Sequence, residues 1–251
     1  STASYAWFTM SNRVEVTGIN LSVVAPTNIL IREEGLTVPE AFANSVALDT
    51  TSAGFGKLMH ASSTTGLNFF TIEEEDARQA DPTTGALSGT PTLIPTTTSA
   101  AGAVDGYYVD FMLELVNTGG EPVKVGLDNI VITGTTTSAA DNTDIIDAVR
   151  IAILDETKNN NLATADKIFA KDLTAALAYS DATTPVSTTP IAAQTDVELL
   201  TLAANGVATT VDPEETQIIT VRVWIEGQDA DCVTANAGAS FNIEFELVVI
   251  D

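Results

Sequence analysis

The sequence predicts an all-β fold, a β-sandwich of jelly-roll type, and three observations carry that expectation. Apolar residues recur at every second position in one stretch after another, which is the period of a half-buried strand. Clusters of Gly, Pro, Asn, Asp and Ser separate these stretches, and helical stripes are few. The chain has 45% hydrophobic and 18% charged residues, a composition that can bury a core, and its 251 residues suit one large sandwich with embellishments.

The first element is the segment 1–12, where residues 2–10 read Thr-Ala-Ser-Tyr-Ala-Trp-Phe-Thr-Met. Drawn out as a strand, it projects Tyr5 and Trp7 to one side and Ala6, Phe8 and Met10 to the other, so both faces are apolar. Such a strand needs cover twice over. It can find it within its own sandwich or by adding to the sheet of a neighbouring copy, where backbone hydrogen bonds give affinity and side-chain pockets give specificity. Arg13 to Val24 follows as one long strand, with Val14, Val16, Ile19, Leu21 and Val23 apolar and Gly18 placed for a bulge. Pro39 to Asn44 is expected to be a short helix, with Pro at its start.

Tyr107 to Val116 alternates, with Val109, Phe111, Leu113 and Leu115 facing inward, and Asn117-Thr-Gly-Gly-Glu-Pro122 turns the chain into a strand over Val123 to Thr133. Asp144 to Glu156 fits both periods: Ile145, Ile146, Val149, Ala152 and Ile153 make a helical stripe, whereas Val149, Ile151 and Ile153 alternate. Strand is the expectation taken here. A second short helix is expected around Leu173 to Tyr179. In Gln217 to Glu226, Ile219, Val221, Val223 and Ile225 take the core face, and Thr220, Arg222, Trp224 and Glu226 the opposite one. The last strand places Phe241, Ile243, Phe245, Leu247 and Val249 inward, opposite Asn242, Glu244 and Glu246. The Thr-, Ser- and Gly-rich stretches 81–105 and 181–196 read as long surface loops inside one domain, 13–251, rather than as boundaries.

Charge narrows the partners. With 34 Asp and Glu against 10 Lys and Arg, the net −24 repels nucleic-acid phosphates and anionic lipid, so no nucleic-acid partner is expected. The acidity suits the solubility of a surface polymer or a salty habitat, or else cation binding at carboxylate-rich loops. No apolar run approaches the ~18 residues of a membrane span. The start at Ser1 rather than Met points to removal of a leader and an exported, extracellular or cell-surface form.

Few residues offer chemistry, and the expectation is a protein that is not an enzyme. His60 is the single histidine, and with no second imidazole and no HExxH the zinc-protease ligand set is missing. No Gly-x-Ser-x-Gly elbow marks a nucleophile. Two acidic clusters could hold Ca²⁺, which takes several oxygen ligands: Glu73, Glu75 and Asp76 in one, Asp229 and Asp231 in the other. Neither completes the twelve-residue EF-hand pattern, and solvated acidic loops are the plainer reading. No other cofactor is implied. Cys232 stands alone and reads as a small buried residue. Lys124 and Lys167 lie in apolar strand patterns where a Lys–Asn or Lys–Asp isopeptide link is conceivable, although a lysine on a strand's polar face is the ordinary case. Asn20-Leu-Ser22 is a glycosylation sequon.

The stretch Ala6-Trp-Phe-Thr9, followed by Asn12 and by Val16-Thr-Gly-Ile-Asn-Leu-Ser-Val23, resembles the mature start of the TasA/camelysin family of exported fibre proteins. Val221-Arg-Val-Trp-Ile-Glu-Gly-Gln-Asp-Ala-Asp-Cys232 and the closing Phe241-Asn-Ile-Glu-Phe-Glu-Leu strand are similar to the family's last strands. The resemblance covers the two ends of the chain, and against a minimal member 33–105 and 156–200 look like insertions. It implies a jelly-roll subunit that joins copies of itself into a filament through an N-terminal donor strand. The polymerisation residues would be Ala3, Tyr5, Ala6, Trp7, Phe8 and Met10, since large apolar side chains bury the most area. The other class of function open to this sequence is a monomeric cell-surface module whose loops recognise carbohydrate or protein. The Thr-rich loops carry few of the aromatic residues that a carbohydrate platform uses.

Overall fold

A computed structural model of the protein describes residues 15–36, 40–49, 56–63, 65–72, 93–96, 105–134, 142–156, 168–171, 189–190, 197–204, 216–227, 229, 232 and 238–251. The strands are β1 (Glu15–Val24), β2 (Ile29–Glu33), β3 (Ser45–Asp49), β4 (Leu58–Met59), β5 (Phe69–Ile72), β6 (Leu93–Thr96), β7 (Val109–Asn117), β8 (Val123–Gly134), β9 (Val149–Asp155), β10 (Ile168–Ala170), β11 (Thr189–Pro190), β12 (Val197–Leu202), β13 (Gln217–Ile225) and β14 (Ala239–Ile250). A short helix, α1 (Asn142–Ala148), links β8 to β9.

Two sheets pack face to face, the sandwich expected from the alternation. The first runs β12-β8-β14-β1-β3, with β4 also paired to β1; the second runs β11-β10-β9-β13-β7-β2. Most neighbours are antiparallel. Exceptions are β1 with β14, which brings the chain's first described strand beside its last, and β10 with β11. The core between the sheets takes Ile19, Leu21 and Val23 of β1, Phe241, Ile243 and Phe245 of β14, Leu113 and Leu115 of β7, and Val221 and Val223 of β13. Cys232 is buried in the same core.

Gly18 adopts φ 84°, and the β1–β14 register slips between Val16 and Ile19, the bulge expected there. Asn117 holds the turn after β7: its amide donates to Glu121 O at 2.7 Å, and its side-chain oxygen accepts from Gly119 N at 2.9 Å.

Four expectations are corrected. Asp144 to Glu156 is not one strand: α1 takes its first part and β9 starts at Val149. Asn142, Thr143 and Asp144 suit a helix start, and Ile145, Ile146 and Ala148 bury against the core, so both periods were present, one after the other. Residues 40–44 are not helical. Ala43 instead exchanges backbone hydrogen bonds with Ile31, at 2.7 and 2.9 Å, closing the outer edge of β2. Val249 is 41% exposed, although it continues the inward series of β14. Finally, 81–105 and 181–196 are not wholly loop, since β6 and β11 lie within them. Leu173 to Tyr179, Val14 and Lys167 lie outside the described residues.

Candidate functional site

β1 is an interior strand, held parallel to β14 on one side and antiparallel to β3 and β4 on the other. It begins at Glu15, so the chain before it joins the sandwich in the middle of the first sheet. That join lies at the end where Gly134 closes β8 and Ala239 opens β14. The polymerisation residues Ala3, Tyr5, Ala6, Trp7, Phe8 and Met10 lie outside the described residues. Asn20 of the sequon sits on the exposed face of β1 and donates to the Asn242 side chain at 2.7 Å.

The second sheet carries an extra layer on its outer face. Residues 61–63 and 65–70 fold over β13 and β9, and Ala61, Phe69, Ala152, Leu154, Ile168 and Trp224 make a small second core there. Phe69 stacks on Tyr108 at 4.8 Å and meets Trp224 edge-on at 5.4 Å. The face of β13 holding Thr220, Arg222, Trp224 and Glu226 is therefore buried, not solvated as in a half-buried strand.

The charges beneath this layer are paired. Arg222 binds Asp110, directly opposite on β7, through two hydrogen bonds of 2.8 and 3.0 Å, and a third goes to Gly66 O at 2.8 Å. Its guanidinium lies 4.1 Å from the Tyr108 ring centroid. Glu226 accepts from Ser62 Oγ at 2.6 Å, Ser63 N at 3.2 Å and Trp224 Nε1 at 3.3 Å. Arg150 binds Asp229 at 2.7 Å, with both side chains out of solvent. Arg150 Nε and Thr220 Oγ1 are buried without a hydrogen-bond partner among the described residues. The layer is built like a core in which Arg222 and Arg150 are each paired with a carboxylate and Glu226 is held by neutral donors. Ser62 and Glu226 make a buried hydroxyl–carboxylate pair.

This placement bears on the cation reading. Asp229 does not belong to a solvated loop: it is fully buried and turned toward Arg150. Its partner candidate Asp231, and the cluster Glu73, Glu75 and Asp76, lie outside the described residues. Among the described residues, no three His, Cys, Asp or Glu side chains are grouped to hold a metal ion. His60 is half-buried just after β4. Lys124 is exposed, its ammonium 3.3 Å from Asp251 O. No described helix is long and apolar enough to cross a membrane.

Sequence reasoning missed the Arg150–Asp229 and Arg222–Asp110 pairs. A signal was available in Arg150, the one charged residue among Val149, Ile151, Ala152, Ile153 and Leu154. A cation in so apolar a strand needs a buried partner.

The described residues define an all-β sandwich with one solvated outer face and one covered outer face. No family model matches this chain, and no curated protein matches it significantly.

Proposed function

We propose that this protein is the structural subunit of an extracellular filament. Copies join head to tail as residues 1–12 of one add a strand to the next, with the sandwich taken as jelly-roll in type. One observation carries the reading: a segment whose alternating pattern is apolar on both sides precedes β1, an interior strand, in the sequence. A strand anchored in one sheet and needing cover on both faces is suited to complete another sheet, and a heterologous contact of this kind propagates into an open fibre when its rotation does not close. The resemblance of the two ends to TasA/camelysin fibre proteins supports the same reading. Catalysis has no part in it.

The test is negative-stain electron microscopy with size-exclusion chromatography on the full chain and on a chain lacking residues 1–12. Filaments from the first and monomers from the second are expected. Filaments from both would place the polymer contact elsewhere, and monomeric full chain would favour a surface binding module. Because each copy carries a net −24, added salt is expected to lower the concentration needed for assembly, the screening length being about 8 Å at physiological ionic strength.

A further inference from the structure

β14 outruns β1. Their pairing ends at Val24 and Glu246, because Ala25 turns away and donates its backbone N–H to Asn44 O at 2.7 Å. From Leu247 to Ile250, β14 is paired with β8 alone among the described residues. Alternation lapses over the same stretch. Upstream, the outward positions are Asn242, Glu244 and Glu246, whereas Leu247-Val-Val-Ile250 is apolar on both faces. On the inner face Val249 stands opposite buried Val125, yet is itself 41% exposed; on the outer face neighbouring Val24 is 48% exposed. An edge that has no second partner among the described residues, with Val249 exposed on its inner face, Val248 and Ile250 half-buried on its outer face and exposed Val24 beside it, fits an added strand that is itself apolar on both faces.

Resting on the strand-donation reading, we propose that residues 1–12 of a second copy add in parallel to the Leu247–Ile250 edge of β14, continuing the line of β1 beyond Val24. Direction and position both argue for this occupant. β1 and β14 run the same way, so the chain upstream of Glu15 joins at one end of the first sheet and the bare edge of β14 lies at the other. The ten residues of β1 put those ends roughly 30 Å apart at about 3.3 Å per residue. In a stack of identically oriented copies, the segment leaving one copy meets the bare edge of the next. It runs back toward its own Glu15 in the same sense as that neighbour's β14. A segment folded back onto its own copy would have to cross the length of β1 and would run antiparallel to β14.

The test uses full-length chains. Val249→Asp removes the acceptor and keeps the donor; Trp7→Asp with Phe8→Asp removes the donor and keeps the acceptor. Val131→Asp is the control, because Val131 is 46% exposed on the same sheet but lies beside Glu244, away from the bare edge. Val131→Asp should polymerise like the parent. The acceptor and donor variants should each stay monomeric, with the critical concentration raised about tenfold or more by a charge at an apolar contact. Mixed together, those two should form a dimer of twice the monomer mass by light scattering, since one can only donate and the other only accept. That dimer cannot come from a misfolded variant. If Val249→Asp polymerises normally while the donor variant does not, the acceptor edge is overturned and strand donation stands. If the donor variant polymerises normally, strand donation itself is overturned, and the acceptor edge with it.

Discussion

The two outer faces of the sandwich are built from the same kind of alternating strand and end in opposite conditions. On the first sheet, the outward residues Asn20 and Ser22 of β1, Glu244 and Glu246 of β14 and Thr133 of β8 face water. On the second sheet, Arg222 and Trp224 of β13 and Ala152 of β9 lie under residues 61–63 and 65–70, Arg150 of β9 is buried against Asp229, and both arginines are paired with a carboxylate. A polar residue on an alternating strand thus says that it points away from the main core; it does not say that it points into solvent. What decides is whether another part of the chain lies over it, and a covered charge must then be paired because desolvation is costly.

Substitution can break this contrast. The largest effect is expected from Arg150→Met, which leaves the Asp229 carboxylate buried without its guanidinium; breaking one side of a buried pair costs about 3–5 kcal/mol, read by denaturant unfolding. A milder effect follows from Gly66→Ala, in the cover itself. Gly66 holds φ 69°, and an added Cβ would sit 3.0 Å from Ala152 Cβ, so the cover must lift; a loss of about 1–3 kcal/mol in the same assay is expected from strain of this kind. On the solvated face, Glu244→Gln should change stability by no more than about 0.5 kcal/mol. A cost there comparable to that of Arg150→Met would mean the two faces are not different in kind.

The smallest effect lies at the end of β2. Burial, with Glu40 nearby as a second cause, holds the Glu33 carboxyl above its ordinary value. A carboxyl raised in the folded state favours folding when protonated, and that contribution is lost as pH rises through the raised value. Glu33→Gln should therefore raise the melting temperature slightly at neutral pH. The gain should vanish below the ordinary Glu value of about 4.3.

Much of the fold was legible in the residues. The strands Glu15–Val24, Val109–Asn117, Val123–Gly134 and Gln217–Ile225, and β14 as far as Glu246, follow period-2 apolar patterns, and Gly18 marked its bulge. Asp144 to Glu156 was harder because a helical and a strand pattern abut at Val149, and short apolar runs do not reveal where one period hands over to the next. The stretch 40–44 is extended enough for Ala43 to pair with Ile31 rather than helical, because a proline that suits a helix start also suits an extended corner.

Sequence by itself determined most of the residues that face the core, Val249 excepted, that the chain is strongly acidic, and that its first segment is apolar on both sides, because these are properties of local order and composition. Only the tertiary structure decided that β1 lies beside β14, that one polar face is covered and the other bare, and that β14 runs past its partner at Leu247. The physical reason is that pairing and cover join residues far apart in the chain, 79 positions for Arg150 with Asp229 and 156 for Arg222 with Gly66. No local period encodes which distant segment will arrive to take up a backbone hydrogen bond or a buried charge.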